Sequence, residues 1–179
     1  MTATEDPRFP IGEFAYTGPA NQRERRERID RIAAAPALLR AAIAGLSAAQ
    51  LDTPYRTGGW TARQVVHHVP DSHLNAYTRF KLALTEPGPT IKPYQEARWA
   101  ELNDSRTAPV ELSLDLLDAL HRRWVLVLSE MGAGDWARTY FHPEQSRQVT
   151  LDEVLALYAW HGEHHAAHIT SLRRRMGWA

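Results

Sequence analysis

Apolar residues recur at helical spacing in four long stretches of the chain, and the polar gaps between them hold most of the prolines and glycines. From roughly Gln22 to Gly45 the apolar positions are Ile29, Ile32, Leu38, Leu39, Ala42 and Ile43, which predicts a helix. Pro36 falls inside it and is expected to kink or divide it. "LSAAQL" reads as a short helical turn opened by Ser47, and "DTPYRTGGW" as an irregular loop. A second long helix follows over "WTARQVVHHVPDSHLNAYTRFKLAL". Thr61 with Gln64 three residues later forms a capping box, so Thr61 is the expected N-cap. Pro70 should bend this helix near His67 and His68. A third helix runs from about Val110 to Met131, with Leu112, Leu116, Leu117, Leu120, Trp124, Val127 and Leu128 on one side. The last helix starts at Thr150, where Thr150 and Glu153 make a second capping box, and reaches about Arg175. Its terminal arginines suit the negative end of the helix dipole.

The connections complete the outline. Residues 1–20 carry Pro7, Pro10, Gly12, Gly18 and Pro19 and read as an extended N-terminal arm. "TEPGPTIKPYQEARWAELNDSRTAP" contains too many prolines for one helix, although "YQEARWAEL" can form a short one, and a loop of this length is expected to act as a lid or a site wall. "GAGDWARTYFHPEQSRQV" reads as a connector with turn signals, and no β-pattern stands out. The expectation is an all-α fold, a four-helix bundle with long inter-helix loops, in a single domain over residues 1–179.

The polar exceptions within the apolar stripes carry the chemistry. "WHGEHHAAHI" places His161, His164, His165 and His168 within eight residues. At about 100° per residue, with His161 at zero, His165 lies near +40°, His168 near −20° and His164 near −60°. Val154, Leu157, Tyr158 and Leu172 share that arc, whereas Asp152 and Glu163 point away. Four imidazoles on a buried face need partners for both nitrogens of each ring. A divalent metal meets that need, and the i, i+4 spacing allows two pairs, His161/His165 and His164/His168. Hydrogen-bonded core histidines and a pH-sensitive cluster are the alternative readings. A further ligand must come from another helix. On "VVHHVPDSH" the wheel puts His67 outward, His68 at the edge of the apolar face and His73 nearer its centre, so His68 and His73 compete. Asp71 and Ser72, within one turn of His68, could support the site. Glu163 is misplaced for the zinc-protease motif, and no nucleophile-elbow serine occurs.

Composition narrows the function. Lysine plus arginine and aspartate plus glutamate both number 21, so no net field favours a polyanion, and nucleic-acid binding is not expected. No apolar run approaches the ~18 residues of a membrane span, and "MTATEDPRFP" lacks the features of a signal peptide, so the expected location is cytoplasmic. The chain has no cysteine. Any metal must be held by nitrogen and oxygen, and any reacting thiolate must come from a substrate.

"PIGEF", "LDTPYRTGGWTARQVVHHVPDSHLNAYTRFKLALTE", "LHRRW", "YFHPE" and "LYAWHGEHHAAHITSLRRRMGW" together resemble the DinB-like superfamily, in its YfiT-like branch, over nearly the whole chain. The resemblance implies a four-helix bundle, a homodimer and a divalent metal held by three histidines. These match the second histidine of the "HH" pair, His68, and His161 with His165. Pro70 departs from the helix-compatible residue expected there. The branch is linked to metal-dependent hydrolysis and to bacillithiol S-transfer. Three neutral imidazoles leave open positions on a zinc or nickel ion, as catalytic sites do. Such a centre activates either a water for hydrolysis or a low-molecular-weight thiol for transfer to an electrophile. No acid on the histidine helix faces the ligands, which favours thiol transfer, while Asp71 as a base keeps hydrolysis open. A non-catalytic metal-binding or dimerising module is the third reading. Lys92, Tyr94 and Trp99 could wall a pocket, Arg79 or Arg122 could meet a carboxylate substrate, and His121 and His142 could lie near the site.

Overall fold

The computed structural model describes residues 6–178. In chain order it contains α1 (Gln22–Ile43), α2 (Ala48–Leu51), α3 (Ala62–Thr85), α4 (Glu96–Trp99), α5 (Asn103–Thr107), α6 (Val110–Glu130), α7 (Ala133–Trp136), β1 (Thr139–His142), β2 (Arg147–Thr150) and α8 (Leu151–Met176). The four long helices α1, α3, α6 and α8 form a four-helix bundle in which α1 packs on α8 and α6, and α3 on α6 and α8.

The helix starts follow their side-chain chemistry. Asn21 and Glu24 form a full capping box on α1, and Thr61 and Gln64 do so on α3. At α8 only half of the expected box exists. Thr150 accepts from the Glu153 amide, but the Glu153 carboxylate is drawn away by Arg147, 2.6 Å distant. Neither internal proline divides its helix. Pro36 and Pro70 are both buried within α-helices that continue past them.

Three expectations from the sequence are corrected. β1 and β2 form an antiparallel hairpin inside the stretch read as a connector, with Tyr140 opposite Val149 and both buried. Strands of four residues give too few alternations to be recognised. On α6 the buried stripe is Val110, Leu114, Leu117, Leu120, His121, Trp124 and Leu128, while Leu112 and Leu116 face outward. His67 was placed outward but is buried, bonded to Ser113 Oγ at 2.7 Å and the Ala108 carbonyl at 3.2 Å. The wheel assumed one buried face, whereas α5 and α6 cover a second face of α3.

Two apolar clusters divide the bundle along its length. One holds Ile32, Ala76, Phe80, Trp124, Leu128, Tyr158 and Ala159, and the other Leu39, Val65, Val69, Leu117, Ala166, Ile169 and Leu172. Between them, at one level, lie Pro36 on α1, His73 on α3, His121 on α6 and His161 to His165 on α8. A polar layer therefore crosses an otherwise apolar core. Gly162 lets α8 approach α1 at this level, since a Cβ there would stand 2.7 Å from the Ala35 Cβ.

The described part of the N-terminal arm, residues 6–20, lies along α8. Asp152 fixes it, accepting from the Ala20 amide at 3.0 Å, the Tyr16 hydroxyl at 3.1 Å and Arg25 Nε at 2.6 Å. Asp152 and Glu163 thus point away from the histidines toward the arm and α1, where Glu163 forms an ion pair with Arg31.

Candidate metal centre

His68 from α3 and His161 and His165 from α8 converge, each offering one ring nitrogen within 4.8 Å of the others. Ring centroids lie 5.4 Å apart for His68 and His161, 4.8 Å for His68 and His165, and 4.4 Å for His161 and His165. The i, i+4 step along α8 stacks its two imidazoles one turn apart, and α3 brings the third from across the groove.

The electrostatics suit ligands. Burial holds His68 at about 4, helped by nearby His168. Burial also keeps His161 and His165 well below the usual imidazole range, with neighbouring imidazoles adding to the effect. All three rings are neutral at pH 7, so each has a lone pair to give. His161 turns Nδ1 to His73 Nε2 at 3.0 Å, and His165 turns Nδ1 to His168 Nδ1 at 3.3 Å. Their Nε2 atoms are left for the centre, and His68 makes no hydrogen bond among the described residues. A set of three converging neutral imidazoles fits a borderline divalent ion such as zinc or nickel.

A cavity of about 280 Å³ opens beside the three rings. Ser72, Tyr158, Trp160 and His164 wall it from α3 and α8, Trp60 from the loop that leads into α3, and Pro93, Tyr94, Glu96, His142 and Glu144 close it from the α3–α4 segment and the hairpin. That segment is tied to the hairpin through Ile91 N to the Phe141 carbonyl and Phe141 N to the Pro89 carbonyl. Arg79 is the cation in the lining and forms no ion pair among the described residues. Its charge faces Tyr140, Tyr158 and His142.

The other residues singled out in the sequence divide clearly. Tyr94 lines the cavity, whereas Lys92 and Trp99 border a separate surface hollow. Arg122 lies on another exposed surface, near Asp118. Asp71 is not among the cavity-lining residues, and burial, with Asp104 nearby, raises it to about 6. His73, fully buried, is bonded to His161 and to His121 rather than standing among the three converging rings. His164 stacks on Trp160 with centroids 4.0 Å apart. Trp60, Trp160 and Tyr158 were missed from the sequence. Trp160 and Tyr158 are sequence neighbours of His161, and that adjacency was the available signal.

Comparison with known proteins agrees with this architecture. The sequence profile of the DinB superfamily matches residues 31–169. A protein of Bacillus mycoides is 54% identical over 174 residues, covering 97% of this chain and 99% of its own, and one of Bacillus cereus strain B4264 is 54% identical over 173 residues with the same coverage. Both bear the name "putative metal-dependent hydrolase". The solved structure of YfiT from Bacillus subtilis, described as a probable metal-dependent hydrolase with an unusual four-helix bundle topology, matches with a TM-score of 0.95. It is 47% identical, and the match covers 97% of this chain and 99% of that one. With the profile spanning most of the bundle and relatives matched end to end, the chain belongs to the DinB superfamily.

Proposed function

We propose that this protein is a divalent-metal-dependent enzyme with His68, His161 and His165 as its ligands, and that it transfers a low-molecular-weight thiol of the bacillithiol type to small electrophiles. The observation that carries this reading is three neutral imidazoles at the floor of a cavity whose lining carboxylates, Glu96 and Glu144, are both exposed. A zinc or nickel ion held there supplies Lewis acidity, which lowers the pKa of a thiol or a water that binds beside it.

The chain's own residues supply binding and orientation. Arg79 gives an anionic group of the substrate a charged partner without first breaking an ion pair. Trp60, Tyr94 and Trp160 present aromatic surface to the apolar part of an electrophile. Ser72 Oγ and the Tyr158 hydroxyl, 3.2 Å apart, add a polar wall. Transfer forms a sulfur–carbon bond as the leaving group departs with its electron pair, and the thiol proton passes to solvent. It requires no buried carboxylate base, and Asp71 outside the lining is given no such role.

Hydrolysis is the second reading. The names of the Bacillus relatives favour it, and Glu96 or Glu144 at the cavity mouth could take a proton from water. Monochlorobimane turnover with a panel of thiols, set beside ester and amide hydrolysis, separates the two. Transfer should need both metal and thiol, and hydrolysis without any thiol would replace the leading reading. His161→Ala and His165→Ala should each abolish tight zinc or nickel binding. If they bind as the parent does, the ligand assignment is wrong. A protein that binds metal and turns over nothing would be a binding module.

The chain pairs as a homodimer through the outer face of α6 in this reading. Leu112, Leu116 and Leu126 there are 64%, 46% and 69% exposed and share one arc of about 80°. Sedimentation velocity of Leu112→Glu with Leu126→Glu should show a monomer, and an unchanged dimer would sink this assignment.

A further inference from the structure

Both ligands supplied by α8 have their second ring nitrogen tied to another histidine, and each of the two chains of imidazoles ends on a main-chain carbonyl. A carbonyl oxygen can only accept, so it fixes the direction of every hydrogen bond behind it.

The first chain starts at the Ile32 carbonyl, 2.6 Å from His121 Nδ1. His121 Nδ1 must carry the proton, and in the neutral ring Nε2 is then a lone pair. That lone pair faces His73 Nδ1 at 2.8 Å, so His73 Nδ1 carries the next proton and His73 Nε2 is bare. His73 Nε2 in turn faces His161 Nδ1 at 3.0 Å, which puts the third proton on His161 Nδ1. His161 Nε2 is left bare toward His68 and His165. The second chain starts at the Arg8 carbonyl in the N-terminal arm, 3.1 Å from His168 Nε2. His168 Nδ1 is then a lone pair, and it accepts from His165 Nδ1 at 3.3 Å. His165 Nε2 is bare as well.

Pro36 explains why the Ile32 carbonyl is free to anchor the first chain. In an α-helix the amide of residue 36 would donate to the carbonyl of residue 32, and proline has no N–H. The proline that looked like a helix breaker leaves an unclaimed acceptor in the polar layer, and His121 takes it.

We propose that His121–His73 and His168 are positioning residues that lock His161 and His165 in the Nδ1–H tautomer and aim both Nε2 lone pairs at the metal position. Pro36 and the Arg8 segment of the arm supply the fixed ends. This rests on the metal reading above, although the tautomer assignment itself needs no metal. Partners of this kind around a metal site commonly change affinity ten- to a hundredfold when removed.

The test uses the full-length protein. In the metal-free, ¹⁵N-histidine-labelled protein near neutral pH, imidazole ¹⁵N shifts should report His161 and His165 as Nδ1–H, the minor tautomer of free histidine. Either ring found as Nε2–H overturns the proposal for its chain. His73→Leu should release His161 to a tautomer mixture and leave His165 unchanged, and His168→Leu should do the reverse. Each should weaken zinc binding, measured by competition with a chromophoric chelator, by roughly ten- to a hundredfold. Glutamine carries a donor and an acceptor on one amide, so His73→Gln and His168→Gln should recover affinity to within a few fold of the parent. Leucine variants that bind zinc as tightly as the parent, or glutamine variants no better than leucine, would overturn the positioning role. If a leucine variant does not fold, the parent's tautomers and the glutamine variant still decide. Failure of the metal reading shows separately, as unchanged zinc binding in His161→Ala and His165→Ala.

Discussion

Acid should unfold the metal-free protein at a pH where most domains of this size are still folded. Burial holds the folded-state pKa of His68 and of His121 at about 4, against 6.5 for a free imidazole. The same cause keeps His73, His161 and His165 well below 6.5. A histidine whose folded pKa is depressed binds its proton in the unfolded chain first. Stability is therefore complete above pH 6.5 and is lost as the pH falls from there toward 4. Within that window each such imidazole contributes a slope of ~1.4 kcal/mol per pH unit. His68 and His121 alone give roughly 2.7 kcal/mol per pH unit, and the three deeper rings add with the same sign. Asp71 opposes them, because burial raises its folded pKa from 3.8 to about 6, so protonation as the pH falls favours the folded state. It is only partly buried, and its offset is smaller than one imidazole's contribution. His68 and His121 against Asp71 leave a net loss of more than about 1.3 kcal/mol per pH unit, and the three deeper rings steepen it, so a typical stability of about 5–15 kcal/mol is eroded within a few pH units. Urea midpoints with a chelator present, from about pH 7.5 down to about pH 4.5, measure this directly provided the m-value stays constant. Saturating zinc should raise stability at the top of the range and lose that effect on acidification, since protons compete for the same lone pairs. A fall of less than about 1 kcal/mol between pH 6.5 and pH 5.5 without metal would refute the buried, neutral state of the cluster.

Other perturbations test the packing and the cavity. Gly162→Ala gains about 1 kcal/mol of helix propensity but drives a methyl against Ala35, an overpacking cost of about 1–3 kcal/mol. Adding Ala35→Gly should recover at least about 1 kcal/mol beyond additivity in a double-mutant cycle, and additive effects would deny the contact. Asp152→Asn places an amide among donors from Tyr16, Ala20, Arg25 and Arg28, so a loss of about 3–5 kcal/mol is expected. Limited proteolysis of that variant should cut first within residues 6–20, and cleavage elsewhere would contradict the role of Asp152 in fixing the arm. Arg79→Gln should raise KM for a carboxylate-bearing electrophile roughly ten- to a hundredfold with kcat little changed, as loss of a charge-assisted hydrogen bond implies. An equal effect on a neutral electrophile would remove Arg79 from substrate recognition.

What the sequence disclosed follows from how local each determinant is. The long helices were legible because the 3.6-residue spacing and the caps at Thr61 and Thr150 act within one or two turns. The inward arc of His161, His164, His165 and His168 was legible for the same reason. The wheel could not choose among them, nor between His68 and His73, because those choices depend on the rotation of α3 against α8. His67 shows the limit most plainly. Its outward phase assumed a helix buried on one side, and only the arrival of α5 and α6 on its other side provided Ser113 and the Ala108 carbonyl as partners.

Pro36 carries the same point into function. A sequence reader sees the donor that proline removes and infers damage to the helix. What matters in the folded protein is the acceptor left behind, and its value depends on a residue 89 positions away, His121. Had the Ile32 carbonyl also accepted from an amide within α1, His121 Nδ1 would share that acceptor, and the fixed end of the chain through His73 to His161 would be weaker. Pro36→Ala puts that competition to the test. It should gain helix stability yet weaken the His121 bond, seen as faster exchange of the His121 Nδ1 proton and a mixed tautomer at His161 in the metal-free protein. A variant with sharper, unchanged His161 shifts would show that the polar layer is held by packing alone.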